Sequence, residues 1–174
     1  MTWQEICDDP ILRELPYKIE TNEWGQLILT RLSLRQGAYR ARLGAQLMAY
    51  TDKRSLMGES VMNAAIVTAQ GIKVTDIGWF SQERWYVVKA MDAASLAPQI
   101  CIDILLSATL KDYCALKKAL YFAAGAEEVW LCSAEGRVTF YGPEGELPLS
   151  VLIPDFPKLM PKLPVNQTND RSFL

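Results

Sequence analysis

The apolar residues of the chain recur with two different periods, one typical of helices and the other of strands. From Gln36 to about Asp52 they recur every three to four residues, which predicts an amphipathic helix. A second helix is predicted from about Thr109 to Ala124, and Gly125 is suited to end it because glycine readily adopts the left-handed conformation that follows many helices. Near the beginning, residues 2–9 predict a short helix that ends at Pro10.

Stretches rich in β-branched and aromatic residues alternate with these helices and predict strands. Two hairpins are predicted early in the chain, with turns at residues 22–25 and 70–71. A third pair of strands, EEVWLCS and RVTFYG, turns at residues 135–136. The stretch near residues 99–107 is apolar almost throughout, which is typical of a strand that is covered on both faces.

This order of elements predicts an α/β domain in which a mixed central sheet is flanked by helices. The domain is expected to span residues 1–164, and the polar residues 165–174 are expected to form a loose tail. No uncharged apolar stretch approaches the roughly 18 to 20 residues of a membrane-spanning helix, so no membrane partner is expected. The four cysteines are widely spaced in apolar sequence, which favours reduced thiols and a cytoplasmic location.

Three charged residues fall where the pattern demands burial. Alternation places Asp76 on the same strand face as Ile72 and Val74. Asp103 lies within the apolar strand and has no easy route to water. Lys117 falls near the middle of the apolar stripe of the second helix, which consists of Leu110, Tyr113, Cys114, Leu120, Tyr121 and Ala124. Lys111 and Lys118 lie on another side of that helix and are expected to be solvated.

Two interpretations of these three residues stay open. An isolated buried carboxylate costs several kcal/mol unless it meets a cation or strong hydrogen-bond donors, so the three residues could form a salt bridge between helix and sheet. Alternatively, two carboxylates beside a lysine could hold a metal ion and act on a phosphodiester. Buried ion pairs stabilise proteins weakly, and this favours the functional interpretation.

The composition removes several kinds of chemistry. The chain contains no histidine and no Cys-x-x-Cys pair, which makes a zinc site or a histidine-based triad improbable. Carboxylates, lysine, tyrosine and arginine remain, with metals that prefer oxygen ligands. The net charge of −2 says little about partners.

The same residues carry a resemblance to a known family. In order along the chain, the segments LPYKIETNEWGQLILT, IKVTDIGWFS, APQICIDILLS, KKALYFAAGAEEVWLCS and SVLIPDFP resemble the Uma-two family of bacterial endonucleases. The resemblance implies a restriction-endonuclease-like fold of the PD-(D/E)XK type. It places the two metal-binding acids on Asp76 and Asp103, with the backbone carbonyl of Ile104 as a further ligand. The family lysine falls on Lys117, and the implied cofactor is Mg²⁺ or Mn²⁺.

Several positions depart from the family pattern. The second acid is usually glutamate, so Asp103 is one methylene shorter. Gln36 stands where the family has a histidine, and Asn63 where it often has a glutamate. Leu116 replaces an acid next to the family lysine, and Leu106, Ser107 and Ala108 replace a Ser-Pro-Ser run. The minimal triad remains in altered surroundings, which fits a weak nuclease or a retired one.

A basic stretch offers a candidate nucleic-acid surface. Within twelve residues that contain no acid lie Arg31, Arg35, Arg40 and Arg42, which could neutralise phosphates. A solvated helix face explains them equally well. Tryptophans could stack on bases, but the apolar surroundings of Trp79 and Trp130 favour the core.

The first hypothesis is therefore a metal-dependent endonuclease that hydrolyses phosphodiester bonds in DNA with a partly degenerate site. The alternative is an inactive binding or interaction protein of the nuclease fold, in which Asp76, Asp103 and Lys117 serve as a salt bridge. A third interpretation, a purely structural homodimer subunit, is compatible with the apolar, proline-rich C-terminal segment. Dimers are common among nucleases of this fold, so a homodimer would not exclude the first hypothesis.

Overall fold

The computed structural model describes residues 1–106 and 111–161, with the backbone but not the side chain of Lys111. The predicted tail, residues 165–174, and the predicted helix start at residues 109–110 lie outside this part. The helices and strands follow in the order α1 (Trp3–Asp8), α2 (Pro10–Arg13), β1 (Tyr17–Thr21), β2 (Leu27–Arg31), α3 (Leu34–Lys53), β3 (Gly58–Thr68), β4 (Gly71–Ser81), α4 (Gln82–Val88), β5 (Ile100–Leu105), α5 (Lys111–Ala123), β6 (Glu128–Ser133), β7 (Val138–Gly142) and β8 (Gly145–Leu147).

At the boundary between the first two helices, the end of α1 before Pro10 was predicted, and the start of α2 at Pro10 was not. Thr2 and Glu5 form a reciprocal capping box that begins α1. The next residues continue as α2, because the Asp9 side chain caps it and Pro10 stands at its first position. Proline is well tolerated there since the first helical amides have no partner within the helix. Pro10 therefore begins a helix as well as following one.

The main sheet has six strands in the order β3-β4-β5-β6-β7-β8, and β1 pairs with β2 in a separate hairpin. Of the described strands, only β5 and β6 pair in parallel, and α5 is the crossover between them. The three predicted hairpins and the predicted mixed sheet are confirmed. The three-residue β8 was not predicted, because its sequence around Gly145 has no strand period.

Helices pack on the sheet through three apolar clusters, one each for α3, α5 and α4, and the cluster of α4 joins its Val88 to Phe80 of β4. Tyr39, Leu43 and Leu47 on one face of α3 contact a core that includes Trp130. The Trp130 ring lies 5.0 Å from that of Phe140, and both Trp130 and Trp79 are buried as predicted. On α5, Tyr121 packs in a second cluster, made up otherwise of Ile66, Ala97, Cys101, Ala126 and Val129. No helix in the described part is long and apolar enough to cross a membrane.

The sheet opens at one row of residues. Strand β4 pairs with β5 only at Ile77, Gly78 and Trp79, so the ladder stops one row before Asp76 and Asp103. On the other side of β4, Asn63 would complete that row, since its neighbours in β3 pair on either side of it. Instead its backbone has a φ of 53°, in the left-handed region. The row of Asp76 is therefore distorted on both sides.

We expect Asn63→Val to destabilise the protein by about 1–2 kcal/mol, because a β-branched residue in the left-handed region is strained. Asn63 is exposed, so the change removes no core packing, and strand propensity alone would favour valine. Asn63→Gly is the matched control and should stay close to wild type, since glycine accepts positive φ. Urea unfolding followed by circular dichroism measures both. Equal stability of the two variants would contradict a strained position at this row.

Candidate active site

Lys117 lies at the centre of a buried charge network. Its ammonium is 3.1 Å from Asp103 Oδ2 and 3.0 Å from Glu20 Oε1. It also donates to the carbonyl oxygen of Val74 at 2.8 Å. An ammonium has three hydrogens, and each has an acceptor here. The helical period predicted that Lys117 points at the sheet, and the structure places it there.

Asp103 is held from two sides. Its Oδ1 accepts the backbone amide of Asp76 at 3.0 Å. Its Oδ2 accepts the Tyr121 hydroxyl at 3.2 Å in addition to Lys117. Asp103 is buried, as the apolar strand around it predicted.

Asp76 faces a different set of donors. Lys18 Nζ lies 2.6 Å and Arg40 Nη2 3.1 Å from its Oδ1. Gln36 donates to the same oxygen at 3.3 Å, and the amide of Ile104 donates to Oδ2 at 2.8 Å. Every one of these donors except Ile104 comes from β1 or α3, so Asp76 ties the sheet to both elements.

Glu20 is a third buried acid in the same place, and its sequence pattern does not single it out. Its Oε1 accepts the amide of Val74 at 2.6 Å, and its Oε2 accepts the Tyr113 hydroxyl at 2.7 Å. The sequence gives little sign that Glu20 is buried, because the polar Lys18 and Glu20 flank the apolar Ile19 in a short hairpin strand. That pattern is typical of a strand whose polar side faces water, and only the packing of β1 against β4 reverses it.

The three carboxylates share one structural task. Beyond the point where β5 leaves β4, the amides of Val74 and Asp76 in β4 and of Ile104 in β5 each donate to one of them. Buried amides without a partner cost free energy comparable to a lost hydrogen bond. The acids therefore replace the carbonyl acceptors of the interrupted ladder.

These groups surround a small cavity of about 40 Å³, lined by Lys18, Glu20, Thr30, Gln36, Asp76, Asp103, Ile104, Tyr113, Cys114 and Lys117. Asp76, Asp103 and Lys117 thus converge in one cavity. The share of liquid volume of one water molecule is about 30 Å³, so the cavity holds about one water.

The charges shift the pKa values of the network in consistent directions. Burial raises the pKa of Glu20, but Lys117, the Val74 amide and Tyr113 outweigh it and hold the pKa below its usual 4.5. Burial likewise opposes the ionisation of Asp76, and Lys18 then lowers its pKa below 3.8. Lys117 loses hydration by burial, yet Asp103, Tyr121 and Glu20 raise its pKa well above 10.5. All three groups are charged at neutral pH.

The four arginines of the basic stretch have separate surroundings. Arg40 is largely buried against Asp76, so it belongs to the network rather than to a solvated surface. Arg42 donates to the carbonyl of Pro161 and Arg35 to that of Ala134. Arg31 and Arg35 are exposed. The tryptophans also differ, since Trp24 is exposed and Trp85 half-buried.

Lys118 points away from the cavity, as the helical period predicted, but it is half-buried rather than solvated. The Lys118 side chain reaches from α5 across to β7, and its ammonium lies 3.8 Å from the centre of the Tyr141 ring. The corresponding prediction for the side chain of Lys111 lies outside the described residues.

The resemblance implies a divalent metal ion, and its fit can be judged from the ligands present. Glu20, Asp76 and Asp103 supply oxygen, the ligand atom that Mg²⁺ and Mn²⁺ prefer. Among the described residues, no three acidic or cysteine side chains form a group that could hold a metal ion. Lys117 bridges two of the acids and Lys18 contacts the third. The carboxylate oxygens are therefore of the type that a divalent cation prefers. In this structure the ammonium groups of Lys18 and Lys117 form ion pairs with these carboxylates.

The fold is similar to that of a solved protein from Anabaena variabilis, described as a proposed nuclease belonging to DUF820. The two superpose with a TM-score of 0.62 at 20% sequence identity, over 84% of this chain and 82% of that chain. No family model and no curated protein matches the sequence. The likeness confirms the predicted fold class, whereas the resemblance to the Uma-two family stays a prediction.

We expect Lys117→Met to destabilise the protein by about 3–5 kcal/mol, because it leaves Glu20 and Asp103 buried without their cation. Lys118→Met is the matched control on the next residue of α5. It removes a contact with an aromatic ring that is worth about 0.5–1 kcal/mol at such a site. Urea unfolding measures both changes. Similar losses in the two variants would show that the buried network does not depend on Lys117.

Stability should also fall in acid. Since the pKa values of Glu20 and Asp76 are lowered in the folded state, their contribution is fully present above about pH 5 and is lost as the pH falls through the folded values. Asp155, whose pKa is about 2, is exposed and contributes in the same range through Arg54 and Lys53. Salt screens that surface pair but not the buried acids.

The measurement is urea unfolding at a series of pH values and at high salt. Glu20→Gln should flatten the dependence below about pH 4.5, because the amide cannot take up a proton in this range. If the free energy of unfolding at high salt changed with pH identically in wild type and in Glu20→Gln, Glu20 would be excluded as the source of the pH dependence.

Proposed function

We propose that this chain is a metal-dependent endonuclease that hydrolyses phosphodiester bonds in DNA. One observation carries the proposal: Asp76, Asp103 and Lys117, chosen by burial pattern and by the family resemblance, line one cavity at the opening between β4 and β5. The likeness of the fold to the Anabaena variabilis protein supports the same class of function.

In this proposal Asp76 and Asp103 hold Mg²⁺ or Mn²⁺, and the backbone carbonyl of Ile104 adds a ligand. A bound divalent ion polarises a phosphoryl oxygen and lowers the pKa of water. Lys117 acts as a fixed positive charge that stabilises the negative charge developing on the phosphate. The raised pKa of Lys117 makes it a poor general base at neutral pH, because a general base must be unprotonated near the working pH in order to accept a proton.

DNA would approach this cavity from the protein surface. Arg31 and Arg35, the exposed arginines of the basic stretch, would contact phosphates in this proposal. A neighbouring groove of about 320 Å³ adds Lys118 and Arg137, and it shares Cys114 with the cavity. We propose that the nucleic-acid backbone lies along this groove.

A second candidate function has its own supporting observation. The acids Glu20, Asp76 and Asp103 meet an equal number of cations, namely Lys18, Arg40 and Lys117. A site that is neutral without metal is what a non-catalytic binding protein of this fold would retain. In that case the network serves only to join β1, α3 and α5 to the sheet.

Nicking of supercoiled plasmid by the purified protein separates the two candidates. We expect weak cleavage that is faster with Mn²⁺ than with Mg²⁺, because Asp103 is shorter than the family glutamate and Mg²⁺ demands near-ideal octahedral geometry. Asp103→Glu should raise the Mg²⁺ rate. Asp76→Asn and Lys117→Met should abolish cleavage.

Circular dichroism checks that each variant is folded, and Lys89→Met serves as a control for contaminating nuclease at an exposed lysine. Cleavage that persists in folded Asp76→Asn would contradict the proposed site. Absence of cleavage with either metal, in wild type and in Asp103→Glu, would favour the binding protein.

A further inference from the structure

We propose that Lys18 is a built-in competitor of the metal ion: its ammonium occupies the cation position on Asp76 and must leave before a divalent cation binds there. This inference rests on the proposed function, since it concerns the same metal site. It assigns to Lys18, a residue of the β1 hairpin, control over the affinity for metal.

The geometry places Lys18 where a metal ligand would be needed. Its Nζ lies 2.6 Å from Asp76 Oδ1, the shortest of the ion-pair distances among the described residues. The side chain is buried. Strand β1 holds it in place, because Thr21 Oγ1 accepts the amide of Ile72 at 2.8 Å and Glu20 accepts that of Val74 at 2.6 Å.

The count of charges argues for exchange rather than addition. Three acids already meet three cations in the network. A divalent ion added to this set would bring two more positive charges to a buried place that also contains the ammonium of Lys73, which is strongly unfavourable. If the Lys18 ammonium moves out to water, the added charge falls to one. A bound phosphate from the substrate would cancel it.

Lys18 is better placed for this exchange than the other cations. Lys117 is fixed by three acceptors. Arg40 reaches Asp76 from α3 at the longer distance of 3.1 Å. The structure shows the Lys18 ammonium in contact with Asp76. The long flexible stem of a lysine side chain would let this ammonium move away. Since Arg40 and Gln36 stay on Asp76 after Lys18 leaves, the carboxylate is not left without partners.

Binding of Mn²⁺ to the full chain, followed by the loss of the electron paramagnetic resonance signal of free Mn²⁺, tests the proposal without any need for cleavage. Lys18→Met keeps the apolar stem and removes the charge. We expect it to bind Mn²⁺ at least about tenfold more tightly than wild type. Lys89→Met, which changes the net charge equally at an exposed lysine outside the proposed site, should bind like wild type. Adding Asp76→Asn to Lys18→Met should abolish the gain.

Equal Mn²⁺ affinity in folded Lys18→Met and wild type would overturn the proposal. Tight binding by wild type, at micromolar Mn²⁺, would also overturn it, and that measurement holds even if Lys18→Met does not fold. Failure of the nuclease proposal looks different: Lys18→Met would then gain Mn²⁺ affinity and still not nick plasmid.

Discussion

The candidate site depends on backbone amides that the sheet leaves without carbonyl partners. Where β5 parts from β4, buried N–H groups of both strands would be unsatisfied, and Glu20, Asp76 and Asp103 accept them. Such amides must find partners because water cannot reach them. The acids thus satisfy these amides, which a neutral acceptor could also do, and their negative charge then requires cations. Lys18, Arg40 and Lys117 follow from that second requirement, and with them the attachment of β1, α3 and α5 to the sheet.

The structural and the catalytic interpretations therefore concern the same side chains. A pure salt bridge between helix and sheet would need one acid and one base, whereas this network gathers three of each around a cavity. Apolar side chains of similar size would stabilise a fold at least as well as a buried ion pair. The excess of buried charge over what stability needs is the physical reason to favour a working site, and it holds whether or not that site is in its active form.

The parts of this arrangement differ in how well a sequence reveals them. Asp76, Asp103 and Lys117 could be predicted because each breaks a long apolar period, and a break of that kind is visible in one dimension. Lys18 and Glu20 could not, because their strand has an ordinary alternating pattern and becomes buried only when its hairpin packs on β4. The left-handed conformation of Asn63 could not be predicted either, because it depends on how β3 pairs with β4. The boundary at Pro10 was half predicted, since proline both follows one helix and begins the next.

A network that is neutral in the absence of metal also links stability to function. In the proposed nuclease, a metal ion would have to replace contacts that now satisfy Asp76, so binding energy from metal and substrate would first have to offset the loss of the Lys18 ion pair. A stronger lysine contact would then make the fold more stable and the proposed metal site weaker. The position of Lys18 on a two-stranded hairpin outside the main sheet suits such a balance. In this proposal the flexible stem of Lys18 moves its ammonium while β1 stays bound to β4, and Asp76 and Asp103, on central strands, stay fixed.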